Sequence, residues 1–382
     1  MAMGGTPVVP EPGAQPQAGK RETRVLLTAD LTDDALDILH GAVEITPGGM
    51  LRFGRIVSTE ELTNELQGYD VLIVGYEQVT AELMDACPEL KLIASIRGGP
   101  EANVSIDAAT ERGIPVLFTL GRTQHAVAEY AFAQMLALAR NLPLGDRLIR
   151  ERVITSDVPQ ASERDVIWLL PEGSDEQKIH RSLRGSELFG KTLGLVGLGN
   201  IGEEVARLAH AFGMRVIVSD PYVSEERAAE HGVTLVSLPD LMRNADIISL
   251  HARITPETIG LIGPDEFALM KPTALLINNA RAALLDEAAL IDALVHRKIG
   301  GAALDVFHKE PLGPDYPLIG LDNVILTPHL AGSSHEIPQH HSRMVAQDVV
   351  NYLNGTVTMP RVKNKEVFES SAFPLRGGTI FG

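Results

Sequence analysis

Residues 192–220, TLGLVGLGNIGEEVARLAHAFGMRVIVSD, read as strand, glycine turn, helix, second strand and a closing acid. Leu193 to Val196 is a short apolar run, as expected of a strand buried on both faces of a parallel sheet. It leads into Gly197-Leu198-Gly199-Asn200-Ile201-Gly202. In a dinucleotide site the first glycine of such a turn allows the tight bend. The second lets backbone approach a pyrophosphate, and the third lets the helix lie close to the strand. Ile201, Val205, Leu208 and Phe212 fall on one stripe of the helix that follows, whose N-terminal amides would face the phosphates. Gly213 is placed to end that helix. Arg215 to Ser219 reads as the next strand, and Asp220 closes it. An acid at that point accepts hydrogen bonds from an adenosine ribose and repels a 2′-phosphate, which favours NAD over NADP.

Outward from this unit, strand and helix patterns alternate on both sides. Towards the N-terminus they run from Val25-Leu26-Leu27 to Val116 to Phe118, a small α/β unit without a glycine fingerprint. Ala126 to Arg140 is apolar nearly all round, which predicts a helix buried between domains or between subunits. Past Asp220, strands are expected at Thr234 to Val236, Ile247 to Leu250, Leu275 to Ile277, Ala302 to Val306 and Val324 to Leu326. Ile337 to Leu353 has helical spacing and would return the chain to the first unit.

The expected fold class is therefore α/β, with two Rossmann-like domains, doubly wound parallel sheets and a smaller domain discontinuous in sequence. The expected boundaries are a disordered tail at 1–22, the first part of the smaller, substrate domain at 23–122, and the NAD-binding domain at 123–332. Residues 333–382 return to the smaller domain, with a hinge where the chain crosses twice. Residues 152 to 188 read as a long polar excursion around Trp168.

Composition narrows the function. A formal net charge of −17 over 382 residues argues against non-specific binding to nucleic acid or anionic membrane. The single cysteine, Cys87, excludes an intrachain disulfide and a thiolate metal cluster and fits a reducing, cytoplasmic compartment. No stretch approaches a membrane span, and no metal site is expected. The histidines at 335, 340 and 341 read as solvated helix-start residues.

Ligands of a doubly wound sheet bind at the carboxyl ends of its strands. The residues just past those ends include His251, Asn278 to Arg281, Asp305 to Glu310 and Pro328-His329. Hydride exchange between a nicotinamide and a carbonyl needs a proton donor on the carbonyl oxygen, and histidine cycles at neutral pH, which nominates His329. Glu310 is the carboxylate that would fix its tautomer. Arg281 can hold a 2-oxo carboxylate in bidentate geometry. The cofactor candidates are Gly197, Gly199, Asn200, Ile201, Gly202, Asp220, His251, Ala280, Asp305 and Gly332.

The glycine turn and Asp220, together with LHARITPETIGLIG (250–263), INNARAALLDEAALIDAL (277–294), AALDVFHKEPL (302–312) and LTPHLAG (326–332), resemble the D-isomer-specific 2-hydroxyacid dehydrogenases, near phosphoglycerate dehydrogenase. The resemblance runs from about Arg24 to about Leu353. It implies that Arg281 binds the substrate carboxylate and carbonyl, that Glu310 pairs with His329 as acid/base, and that Asp305 meets the nicotinamide carboxamide. It also implies that the turn holding Gly98 and Gly99 binds the substrate carboxylate, and that the protein is a homodimer. The partner would be a small 2-hydroxy or 2-oxo acid. This chain departs from the family pattern at Ser105, Arg253 and Ala282, and it ends without the appended regulatory domain of some phosphoglycerate dehydrogenases. The competing reading is an NAD(H)-responsive, corepressor-like scaffold of the same fold. Formate dehydrogenase fits less well, because glutamine replaces Glu310 there.

Overall fold

The computed structural model describes residues 23–153, 181 and 183–369. The first 22 residues, Trp168 with most of the 152–188 excursion, and residues 370–382 lie outside that range. Two compact units emerge, one of residues up to Leu120 together with those from Pro338, the other of Gly121–Ile337. The smaller unit is thus discontinuous, and both sheets are wholly parallel, as the alternation predicted.

In the smaller unit, β1 (Arg24–Leu27), β2 (Glu44–Pro47), β3 (Val71–Val74), β4 (Leu92–Ser95) and β5 (Val116–Phe118) lie in the order β2-β1-β3-β4-β5. Strand β2 escapes a hydrophobicity reading: it is half exposed and ends in proline, both tolerated only at a sheet edge. The returning helix, Ile337–Leu353, buries Val345, Ala346 and Val349 in the core with Val25, Leu27 and Leu92. His341 is buried in that helix, which corrects the expectation that it is solvated. It lies one turn before Val345, on the face that meets the core.

The larger unit carries β6 (Thr192–Val196), β7 (Arg215–Ser219), β8 (Thr234–Leu235), β9 (Ile247–Leu250), β10 (Leu275–Asn278), β11 (Gly301–Leu304) and β12 (Val324–Leu326). Their order, β12-β11-β10-β9-β6-β7-β8, reverses direction at β6. That switch point opens a crevice outside the carboxyl end of β6. Gly194 inside β6 lets the helix Leu238–Asn244 press close, since a Cβ there would lie 2.7 Å from Leu241 Cδ2.

The helix Asn200–Ala211 buries Val205, Ala206 and Ala209, while Phe212 stays 40% exposed and stacks on Phe132 at 5.1 Å. The buried face is therefore rotated from the expected stripe. Small side chains at 206 and 209 allow close contact with the core that Ala128, Ala131, Phe132 and Met135 share. Those four residues belong to the helix Gln124–Ala139, expected between domains or subunits. Within the larger unit it packs beside Leu193, Leu195 and Ile277 of the sheet, which calls for an apolar surface over much of its circumference.

Candidate active site

Register converts scattered motifs into one row. Val196 pairs with Ser219 and with Leu250, Leu250 with Asn278, Asn278 with Leu304, and Leu304 with Leu326. One residue further along each strand, Asp220, Gly197, His251, Asn279, Asp305 and Thr327 therefore line the carboxyl edge in that order. At a strand spacing of about 4.8 Å, Gly197 and Asp305 stand about 14 Å apart.

The glycine turn fits a dinucleotide. Gly197 adopts φ +97°, and a Cβ on it would lie 2.9 Å from the Ala252 nitrogen. A Cβ on Gly202 would lie 2.5 Å from the Gly197 carbonyl oxygen, whereas around Gly199 there is open space. Gly199 is also the N-cap of the helix Asn200–Ala211, with no side chain capping its amides, so those donors are left for an anion. Ile201 packs on the core and Asn200 points its amide towards Gly121.

Asp220 accepts the Leu198 amide at 2.8 Å and the Tyr222 amide at 2.9 Å, tying the turn to the end of β7. His251 has its Nε2 2.9 Å from Ser249 Oγ, and burial pushes its pKa down to about 4, which keeps the ring neutral.

The catalytic candidates stand on the other flank of the row. Asn278, fully buried, accepts the Ala280 amide and donates to the Arg281 carbonyl, folding the turn that presents Arg281 to solvent. Glu310 accepts the Phe307 amide at 2.9 Å on one oxygen, and its other oxygen lies 2.8 Å from His329 Nδ1. The bond from His329, then the Phe307 amide, and more weakly the charges of His329 and Arg281, outweigh burial and hold the Glu310 carboxyl below the usual carboxylate range. With Nδ1 directed at Glu310, Nε2 of a half-exposed imidazole faces outward for proton exchange.

His329 itself adopts φ +56°, a left-handed conformation that costs a non-glycine residue about 1–3 kcal/mol. Asp305 holds it there. The His329 amide donates to the Asp305 carbonyl at 2.9 Å, and the Asp305 carboxylate accepts the Thr327 hydroxyl and the Leu330 and Ala331 amides. Asp305 has no exposed surface and both its oxygens are engaged. Asp305 thus anchors the loop on both sides of His329. Gly332 follows in the same loop.

Two further residues of this network went unread in the sequence. Thr327 is bonded to Asp305 at 2.6 Å, and Gln134 donates to Thr327 at 3.3 Å. A glutamine in the middle of an apolar helix is the available signal for the second.

Gly98 and Gly99 belong to the smaller unit, past the end of β4. The Thr119 amide holds the Arg97 carbonyl at 3.2 Å, and Gly99 begins the short helix Pro100–Ala102. Among the described residues no group of three or more His, Cys, Asp or Glu side chains could hold a metal ion, and no helix is long and apolar enough to cross a membrane.

Comparison with known proteins points the same way. The sequence model of the D-isomer specific 2-hydroxyacid dehydrogenase NAD binding domain matches residues 132–331. The D-3-phosphoglycerate dehydrogenase of Archaeoglobus fulgidus is 38% identical over 87% of this chain, which spans 58% of that protein. The glyoxylate reductase of Aeropyrum pernix is 33% identical, with 91% of this chain and 97% of that one covered. Among solved structures, D-lactate dehydrogenase from Aquifex aeolicus, complexed with NAD and lactic acid, superposes with a TM-score of 0.64 at 26% identity, covering 89% and 99% of the two chains.

Proposed function

Because this chain belongs to the D-isomer specific 2-hydroxyacid dehydrogenase family and carries its NAD-binding domain, we propose that it interconverts a D-2-hydroxy acid and its 2-oxo acid with NAD. The observation that carries this reading is the 2.8 Å pair of His329 Nδ1 and Glu310, with Arg281 close enough to lower the Glu310 pKa. When bound, the nicotinamide supplies or accepts the hydride at C2. His329 gives its Nε2 proton to the carbonyl oxygen during reduction and takes it back during oxidation. Glu310 fixes the tautomer and stabilises the imidazolium that forms. Arg281 pairs with the substrate carboxylate, and Gly98 and Gly99 are proposed as further substrate contacts. Asp220 takes the ribose hydroxyls, and the uncapped amides at Gly199 to Ile201 take the pyrophosphate. His251, Ala280, Asp305 and Gly332 complete the proposed cofactor contacts.

A homodimer is part of this reading. The helix Leu142–Arg150 buries none of its residues, and Leu142 and Ile149 are 59% and 63% exposed, an apolar surface suited to a second copy. A cytoplasmic location is part of the same proposal, and the single cysteine is compatible with it. The corepressor-like alternative draws no support from the relatives, which are dehydrogenases and reductases by name.

Steady-state assays with NADH and a panel of 2-oxo acids test the proposal. Turnover of at least one acid, lost in His329→Gln, is the expected result. No turnover across the panel, or full activity without His329, overturns it.

A further inference from the structure

Arg253 follows the end of β9 by three residues, in a loop that lies against the glycine turn. The His251 amide donates to the Val196 carbonyl at 2.8 Å, and the backbone of His251 and Ala252 stands where a Cβ on Gly197 would need to be. On the other side of Arg253, Thr258 Oγ1 donates to the Arg253 carbonyl at 2.7 Å and accepts the Thr255 amide at 2.8 Å. The backbone is thus fixed before and after the arginine, which places the cation with little loss of chain entropy on binding.

Charge around the turn gives this position its meaning. Gly197 to Gly202 contains no cation, and the nearby acids are Glu203, Glu204 and Asp220. Arg227 is bound to Glu203, and Arg207 to Glu204 at 2.6 Å, so neither is available to a ligand. Asp220 is engaged by backbone amides. Arg253 is exposed and, among the described residues, has no acidic partner. A pyrophosphate bridging the turn brings two negative charges to the positive end of a helix dipole, where a cation adds to the attraction.

We propose that Arg253 is a cofactor-binding residue, its guanidinium paired with the pyrophosphate of the dinucleotide. This rests on the NAD reading above and adds a residue that a glycine fingerprint does not include. The pairing is partly exposed, so it responds to salt.

Calorimetric titration of the full chain with NADH, ADP-ribose and adenosine tests it. At an ionic strength of about 20 mM, Arg253→Gln should raise Kd for NADH and for ADP-ribose about 3- to 30-fold. Adenosine, which has no phosphate, should change less than about twofold. Arg253→Lys should recover most of the loss, and the gap between wild type and Arg253→Gln should close near 0.5 M salt. Coincident melting curves of the free proteins establish that the variants are folded. Equal ADP-ribose binding by wild type and Arg253→Gln at low salt overturns the assignment, as does an equal loss of adenosine. A wild-type chain that binds neither NADH nor ADP-ribose refutes the cofactor reading itself.

Discussion

Replacing Asp305 with asparagine probes the support beneath His329. The carboxylate accepts the Thr327 hydroxyl at 2.6 Å and the Leu330 amide at 2.8 Å on one oxygen, and the Ala331 amide at 2.7 Å on the other. Asparagine offers one acceptor oxygen. If it keeps the first pair, its NH2 group confronts the Ala331 amide, donor against donor, in a site without exposed surface. A lost charge-assisted bond is worth about 1.5–3 kcal/mol and an unsatisfied buried amide about 1–3 kcal/mol. Removing a buried carboxylate that has no cation beside it returns part of this, leaving a net loss of about 2–4 kcal/mol. For a unit of this size that lowers Tm by about 5–15 °C. The loop can then relax the left-handed backbone of His329 and carry the imidazole away from Glu310. On the proposed mechanism kcat should fall about 10- to 100-fold. Calorimetry with single-turnover kinetics reads both quantities. A Tm within about 2 °C of wild type would refute the anchoring argument. A lowered Tm with unchanged kcat would refute the claim that this anchor positions His329.

Other outcomes follow from the same coordinates. His329→Gln should lower kcat/KM about 10²- to 10⁴-fold with NADH binding retained, as measured by fluorescence titration. Gly202→Ala places a methyl group 2.5 Å from the Gly197 carbonyl oxygen, so the helix must shift and the Kd for NADH should rise by about tenfold or more. His251 has a folded pKa of about 4 against 6.5 for the free side chain. The unfolded chain binds the extra proton between those values, so stability should rise with pH across that window. The shift alone corresponds to about 3 kcal/mol, and residual exposure of the ring reduces it to about 1–2 kcal/mol. His251→Asn should flatten that part of the stability profile. Glu310 has a lowered folded pKa, so its contribution is complete above 4.5 and should fade as pH drops through the folded value, a loss absent from Glu310→Gln.

The strand–turn–helix unit at 192–220, the parallel class of both sheets and the discontinuity of the smaller unit are all legible in the amino-acid order. Each depends on short-range pattern: an apolar run, glycines at fixed offsets, and alternation of periods near 2 and 3.6. The candidate trio was nominated from chemistry at expected strand ends. The 2.8 Å contact of His329 with Glu310 depends on how a loop is held, and only tertiary structure decides that. Edge strand β2 was missed because a half-exposed strand needs no apolar run. His341 reads as solvated in the sequence because a local pattern does not reveal which face of a helix meets a core built from distant segments. Asp305 shows the difference most sharply. Parallel register sets β11 beside β12 and brings the donors of residues 327–331 onto its carboxylate, a role its sequence neighbourhood does not disclose. Buried donors and acceptors must be paired with whatever the fold brings alongside, and that pairing is a property of the assembled sheet.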